Sequence, residues 1–222
     1  MARRRKPKQL DLFDMRKMGL EHDHFERWLR NQGFAHVAGI DEAGRGPLAG
    51  PVLAAAVILP AGSRIKGLTD SKRLSDAKRR ELYVKIRDKA IAIGVGRAEP
   101  AEIDRMNILQ ATMQSMRRAV DALQQQPDYL LVDGITPIPT VLPQRTLVKG
   151  ELRSISVAAA SIIAKVERDD IMLEMDKLYP DYGFARHKGY GTEAHLLALR
   201  QHGVCPIHRK TYRQISDLRQ RL

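Results

Sequence analysis

The chain has 222 residues, enough for one ordinary domain with a terminal appendage, and 43% of them are hydrophobic, enough for a sizeable core. Its 38 Lys and Arg exceed its 26 Asp and Glu by 12, a balance that favours a polyanionic partner such as nucleic acid. The single cysteine, Cys205, excludes a disulfide framework and fits a reducing, cytoplasmic setting, while the longest apolar run, Val52 to Leu59, is too short to span a bilayer.

Residues 1–30 are charged and irregular. They read as a basic arm, carrying Arg3, Arg4, Arg5, Lys6 and Lys8, followed by a short helix around Phe25 to Leu29. The arm fits a solvated tail as well as a nucleic-acid contact. No apolar stretch follows the first charges, as a secretory signal would require. A second unit is expected over residues 31–222.

From His36 the pattern is α/β. His36–Glu42 and Val52–Leu59 read as strands joined by a Gly/Pro-rich turn. Ser75 with Asp76 is an N-cap for a helix through Lys89, with Leu82, Val84 and Ile86 as its apolar positions. Ile91–Ala98 reads as a buried strand. Pro100 then opens one long helix, Ala101 to Gln125, in which Ile103, Met106, Leu109, Met113 and Met116 recur at helical spacing. Asp128–Asp133 is a further strand, and a proline-rich loop over 137–143 separates it from a last strand near Arg145–Val148. Ile155–Tyr179 reads as a long helix whose start, Val157-Ala-Ala-Ala-Ser161, permits close packing. A Gly/His-rich loop, a helix near 192–202 and a basic tail with a final helix complete the chain.

The run His36-Val-Ala-Gly-Ile-Asp-Glu-Ala-Gly-Arg-Gly-Pro-Leu-Ala-Gly-Pro51 carries the chemistry. Asp41 and Glu42 follow an apolar stretch, where carboxylates are costly unless a cation or a hydrogen-bonding partner offsets their desolvation. Arg45 offers a forked set of donors to an anion, flanked by Gly44 and Gly46, which let another backbone approach. Asp133 ends a later strand, and ligands in open α/β sheets bind beyond the carboxyl ends of strands. Asp169 lies midway along the 155–179 helix. Oxygen ligands alone suit Mg²⁺ or Mn²⁺, and two such ions can drive an in-line displacement at phosphorus. Strand alternation aims Asp41 and Glu42 at opposite faces, so the strand is expected to twist or stop there, or one residue to coordinate through its carbonyl. Spacing leaves a plainer reading open, in which these acids are caps and the 167–170 acids are a solvated helix face.

These motifs form an ordered series: Ile40-Asp-Glu-Ala-Gly-Arg-Gly-Pro-Leu-Ala-Gly-Pro51, Asp70-Ser-Lys-Arg-Leu-Ser75, Val132-Asp-Gly134, Lys149-Gly150, Ala158-Ala-Ala-Ser-Ile-Ile-Ala-Lys165, Arg168-Asp169 and His187-Lys-Gly-Tyr-Gly-Thr192. The series resembles bacterial ribonuclease HII over roughly residues 35 to 210. The resemblance implies an RNase H-like α/β fold, a five-stranded mixed sheet flanked by helices with a helical C-terminal part. It implies an endoribonuclease that cleaves the RNA strand of RNA–DNA hybrids and single ribonucleotides in duplex DNA, acting as a monomer with two Mn²⁺ or Mg²⁺ ions. It assigns the catalytic and metal-binding acids to Asp41, Glu42, Asp133 and Asp169. Asp170 is expected at the surface. Glu151 stands where the family often has Asp.

For substrate, the resemblance implies that Gly44, Arg45 and Gly46 hold the phosphate and read the 2′-hydroxyl, and that Tyr190 stacks on the nucleotide and contacts the same hydroxyl. Ser71 and Lys72 match duplex phosphate contacts. Asn107 and Gln110, one helical turn apart, are candidates to hold the opposite strand. Lys165 precedes Asp169 by four residues and shares its helix face. His187, His195, His202 and His208 match no zinc spacing and read as surface residues. The competing reading is a non-catalytic basic nucleic-acid-binding protein. A phosphotransferase is weaker, because the glycines match no phosphate-loop pattern.

Overall fold

The computed structural model describes residues 22–68, 71 and 74–219 of the chain. The basic residues 3–8 and the expected phosphate contact Lys72 lie outside the described residues.

Five strands form one mixed sheet: β1 (Val37–Ala43), β2 (Val52–Ile58), β3 (Ala92–Ala98), β4 (Tyr129–Asp133) and β5 (Gln144–Leu147). Their order is β3-β2-β1-β4-β5. β1 pairs antiparallel with β2 and parallel with β4, and β4 pairs parallel with β5. All seven residues of β2 are buried, as expected of a continuous apolar run covered on both faces. This is the expected RNase H-like arrangement.

Helices cover both faces of the sheet. α1 (His24–Asn31) precedes β1, α2 (Asp76–Lys89) packs on α4, α3 (Pro100–Asp121) lies over β3 and β2, and α4 (Ile155–Leu178) lies over β1 and β2. α4 approaches closely because β1 presents Gly39 to it. A Cβ there would fall 2.1 Å from the carbonyl carbon of Ser156. α1 docks through buried Phe25 and Leu29, and its Glu26 Oε1 accepts from Ser154 Oγ at 2.5 Å and from the Ser156 N–H at 3.0 Å. The folded body therefore takes in the short helix expected around Phe25 to Leu29.

Local chemistry explains most element ends. Ser75 caps α2 by accepting from the Lys78 N–H, and Ser154 caps α4 by accepting from the Val157 N–H. Pro100 and a Glu99–Glu102 capping box start α3. Two expectations need correction. In α2, Leu82 and Ile86 are fully buried, whereas Val84 between them is 65% exposed, because only the i, i+4 pair faces α4. α3 is not one straight helix. Asn107 breaks it at φ 69°, and its side-chain oxygen accepts from the Leu109 and Gln110 N–H groups, capping the second half as a new helix.

The C-terminal part holds α5 (Phe184–His187), α6 (Glu193–His202) and α7 (Arg213–Arg219). They close around Leu48, Met172, Tyr182, Phe184, Leu199 and Ile215. This cluster fixes the loop after β1 against α4, which is where the candidate site opens.

Candidate active site

The parallel pairing of β1 with β4 aligns Ile40 with Val132. Asp41 and Asp133 come one residue later on neighbouring strands, at their carboxyl ends. Carboxylate oxygens of Asp41, Glu42 and Asp133 all lie within 4.8 Å of one another. β1 does not stop at the pair, since Glu42 still aligns with Ala54 and Ala43 with Leu53. The acids meet through their carboxylates, without recourse to a backbone carbonyl. Asp41 folds back along its own strand, where Oδ1 accepts from the Glu42 N–H at 2.7 Å. Asp133 Oδ1 accepts from the Gly150 N–H at 2.7 Å, tying the 150–152 turn, and Glu151 on it, to this end of the sheet.

Burial pushes the Asp41 carboxyl well above the usual carboxylate range, and the negative charges of Glu42, Asp133 and Glu151 add to the effect. The hydrogen bond from the Glu42 N–H opposes it. Asp169 is not in the three-acid group. It is buried, and its Oδ1 accepts from Lys165 Nζ at 2.6 Å, one helical turn back along α4. Asp169 thus stands on α4 beside a cleft-lining lysine, outside the 4.8 Å group formed by the strand-end acids. Glu151, from the turn after β5, is a further carboxylate whose charge is felt at Asp41. Lys165 lines the cleft, its ammonium pKa lowered by burial and partly restored by Asp169.

The cleft holds about 500 Å³ and runs from Asp41 and Glu42 past the 44–46 turn to Tyr190. Gly44 has φ 94°, and a Cβ on it would fall 2.0 Å from Arg168 Nε, so only glycine fits. The carbonyls of this turn face inward. Arg209 donates through Nη2 to the Gly44 carbonyl at 2.6 Å and through Nη1 to the Arg45 carbonyl at 2.9 Å. The Arg45 side chain is exposed, with Nη1 3.5 Å from Glu42 Oε1. Tyr190 is 46% exposed, and its ring edge would lie 3.6 Å from a Cβ on Gly46. A cluster of acids, an Arg-bearing turn and a solvent-facing tyrosine therefore share one cleft.

The family model for ribonuclease HII matches residues 38–215. The chain belongs to the ribonuclease HII family. Its members are endoribonucleases, and this sets aside the non-catalytic reading. A ribonuclease HII of Geobacter metallireducens is 57% identical over 193 residues, 87% of this chain and 91% of its own. Among solved structures, the ribonuclease H2 from Pyrococcus horikoshii OT3 superposes with a TM-score of 0.71 at 28% identity, covering 84% of this chain and 98% of that one. The RNase HII of Archaeoglobus fulgidus, solved as a complex with PCNA, gives 0.69 at 29% identity, covering 80% and 95%. The family is metal-dependent, and the three-acid cluster is a group that can hold a metal ion.

Other residues singled out by the ribonuclease HII motifs fall at varied distances from this centre. Ser71 lines the cleft but is buried, its hydroxyl bonded to Ser161 Oγ at 2.6 Å. Asn107 and Gln110 are exposed at the break in α3, with the Asn107 side-chain oxygen engaged in capping. Asp170 pairs with Arg80 at 2.6 Å on the surface, as expected. The histidines depart from expectation. His195 and His208 are buried, at 0% and 1% exposure, because each satisfies the other through a hydrogen bond. Sequence reasoning missed Arg168 and Arg209, two buried cations whose hydrogen bonds go to backbone carbonyls and to Tyr212 Oη. Their only sequence signal is the dipeptides Arg168-Asp169 and His208-Arg209, which look like ordinary surface charge.

No helix among the described residues is long and apolar enough to cross a membrane.

Proposed function

We propose that this chain hydrolyses the RNA strand of RNA–DNA hybrids and cuts duplex DNA on the 5′ side of a single embedded ribonucleotide, leaving a 5′-phosphate and a 3′-hydroxyl. The observation that carries the reading is the meeting of Asp41, Glu42 and Asp133 beside the 44–46 turn. Hard oxygen donors in this arrangement suit Mg²⁺ or Mn²⁺, and a divalent charge would offset both the burial that chiefly raises the Asp41 pKa and the neighbouring carboxylates that add to it. Asp41, Glu42, Asp133 and Asp169 would hold two such ions, which when bound supply Lewis-acid chemistry for in-line hydrolysis at phosphorus.

The chain's own groups do the rest. The 44–46 turn with Arg45 holds the phosphate on the 5′ side of the ribose, while Tyr190 stacks on the nucleotide and contacts its 2′-hydroxyl. Lys165 adds positive charge at the cleft wall and, in the metal-free site, is bonded to Asp169. Lys72, Asn107 and Gln110 extend the contact to the rest of the duplex. The same reading takes the enzyme as a cytoplasmic monomer, and a free, buried Cys205 accords with a reducing compartment.

The test is to incubate the protein with a duplex bearing one ribonucleotide, and with its all-DNA counterpart, in Mg²⁺ and Mn²⁺ separately, and to map the cut. A site built around a hydroxyl rejects the analogue lacking it by roughly 10⁴-fold. Equal cleavage of the two duplexes would overturn the reading.

A further inference from the structure

The segment 205–212 joins the two halves of the cleft that face each other across Gly46 and Tyr190. Its backbone lies against the loop after β1: Gly50 N–H donates to the Ile207 carbonyl at 2.9 Å and Arg209 N–H to the Leu48 carbonyl at 2.9 Å. From this base two neighbouring side chains leave in different directions. Arg209, fully buried, donates to the carbonyls of Gly44, Arg45 and Gly50 with one guanidinium, and Tyr212 Oη reinforces it by donating to the Arg45 carbonyl at 2.6 Å. A planar fork of this kind fixes the turn in orientation as well as in position.

His208 reaches the other half through a relay whose polarity follows from its first member. The Cys205 N–H can only donate, and it lies 3.0 Å from His208 Nδ1. In a neutral imidazole the proton is then on Nε2 of His208, which donates to His195 Nε2 at 3.0 Å. That leaves the His195 proton on Nδ1, which donates to the Tyr190 carbonyl at 2.9 Å. His187 stacks on His195 with ring centroids 4.5 Å apart and planes 13° apart, which fixes the His195 ring. Burial keeps both relay histidines neutral, each with its pKa pushed down to about 4, so the polarity persists at neutral pH.

We propose that the adjacent pair His208 and Arg209 is a positioning bracket that sets the 44–46 turn and Tyr190 at one fixed separation, and that this separation determines how strongly the enzyme prefers a 2′-hydroxyl. The inference rests on the reading of that turn and Tyr190 as the groups that contact the ribonucleotide. Neither His208 nor Arg209 touches the substrate. Each acts through the backbone of the groups that do.

The test measures kcat and KM of the full chain on two duplexes that differ at one 2′ position, one with a ribonucleotide and one with its 2′-fluoro-2′-deoxy counterpart. His208→Leu is expected to lower kcat/KM on the ribonucleotide duplex about tenfold, the scale of one misaligned hydrogen bond, and to leave the slow cleavage of the fluoro duplex unchanged. The preference narrows by the same factor. His208→Gln, whose amide still donates towards His195, should recover to within about threefold of wild type. Loss of both activities in proportion, with the preference intact, would mean a merely structural role and would overturn the bracket. If His208→Leu does not fold, Arg209→Lys carries the test, since it keeps the charge but cannot donate to three carbonyls at once. It should narrow the preference likewise, and an unchanged preference would overturn the proposal. A wild type without any 2′-hydroxyl preference would instead overturn the proposed function, and the bracket with it. A preference kept in the wild type and in every variant overturns the bracket alone.

Discussion

Asp41→Asn should make the metal-free protein more stable while removing its activity. Asparagine is isosteric, and its Oδ1 can still accept the Glu42 N–H that Asp41 now accepts at 2.7 Å. What disappears is one negative charge in a group whose oxygens lie within 4.8 Å of one another. At an effective dielectric of about 20, two full charges 4.8 Å apart repel by about 3.5 kcal/mol. Spreading of charge over two oxygens and water in the open cleft reduce the net relief to about 1–2 kcal/mol. For a chain of this size each kcal/mol moves Tm by roughly 2–4 °C, so a rise of about 2–8 °C is expected in EDTA.

The pH dependence follows from the raised Asp41 pKa. Between the unfolded value, about 3.9, and the higher folded value, the unfolded chain releases its proton first, so wild-type stability falls as pH rises through that window. The advantage of Asp41→Asn should therefore be absent below about pH 4 and complete once Asp41 is ionised in the folded state. Adding Mg²⁺ or Mn²⁺ reverses the order, because binding at a hundred times Kd stabilises the wild type by about 2.7 kcal/mol and the variant far less. Differential scanning fluorimetry of both proteins with and without metal reads the crossing directly. A variant that melts below wild type in EDTA, or an equal metal shift in both, would refute the reasoning.

Asp133→Asn should lower kcat by about 10²-fold or more while the Kd for the duplex changes by less than about threefold, because the basic surface is untouched; near-normal cleavage would remove Asp133 from the reacting centre. Asp169→Asn should raise the half-saturating Mn²⁺ concentration about tenfold or more, and Glu151→Gln, which removes a charge felt at Asp41, should raise it less. An unchanged half-saturating concentration in Asp169→Asn would remove Asp169 from the metal-binding group. Burial holds His195 and His208 to about 4, below their ordinary 6.5, so the folded state binds fewer protons in that interval. Stability should accordingly fall as pH drops from about 6.5 towards 4 and be insensitive to these groups above it. Urea midpoints against pH should show this slope in the wild type and a shallower one in His208→Leu.

The strand-end acids were legible in the sequence because two local facts suffice: an apolar run ends in Asp41-Glu42, another ends in Asp133, and parallel pairing aligns their ends. Helix starts at Ser75 and Ser154 were legible for the same reason, since a cap is a property of a few adjacent residues. Where Asp169 points was not legible, because its direction depends on how α4 sits on the sheet. That seating is set by the contact of Gly39 with Ser156, across more than a hundred residues of chain. Glu151 enters through an equally long-range device, the Gly150 N–H bound to Asp133. The break at Asn107 was hidden because Asn can either continue a helix or cap a new one, and the periodicity of its apolar neighbours runs through the break unchanged.

The buried arginines show what a net charge conceals. Arg168 and Arg209 count towards the excess of 12 positive charges, yet each is almost fully removed from solvent and cannot form part of a surface footprint. Desolvation, and their mutual repulsion, lower the Arg168 pKa to about 10, which still leaves it charged at neutral pH. Their hydrogen bonds go to carbonyls of residues 44, 45 and 49–51 and of Lys188, which frame the turn and the approach to Tyr190. Two fixed cations thus stand directly behind the place proposed for a phosphate, in a low-dielectric setting where a charge acts more strongly than on an exposed side chain. Surface lysines and arginines can draw any polyanion to this face. The buried pair acts at one point, and it is rigid before substrate arrives, which is what separates holding a duplex from aligning one bond in it.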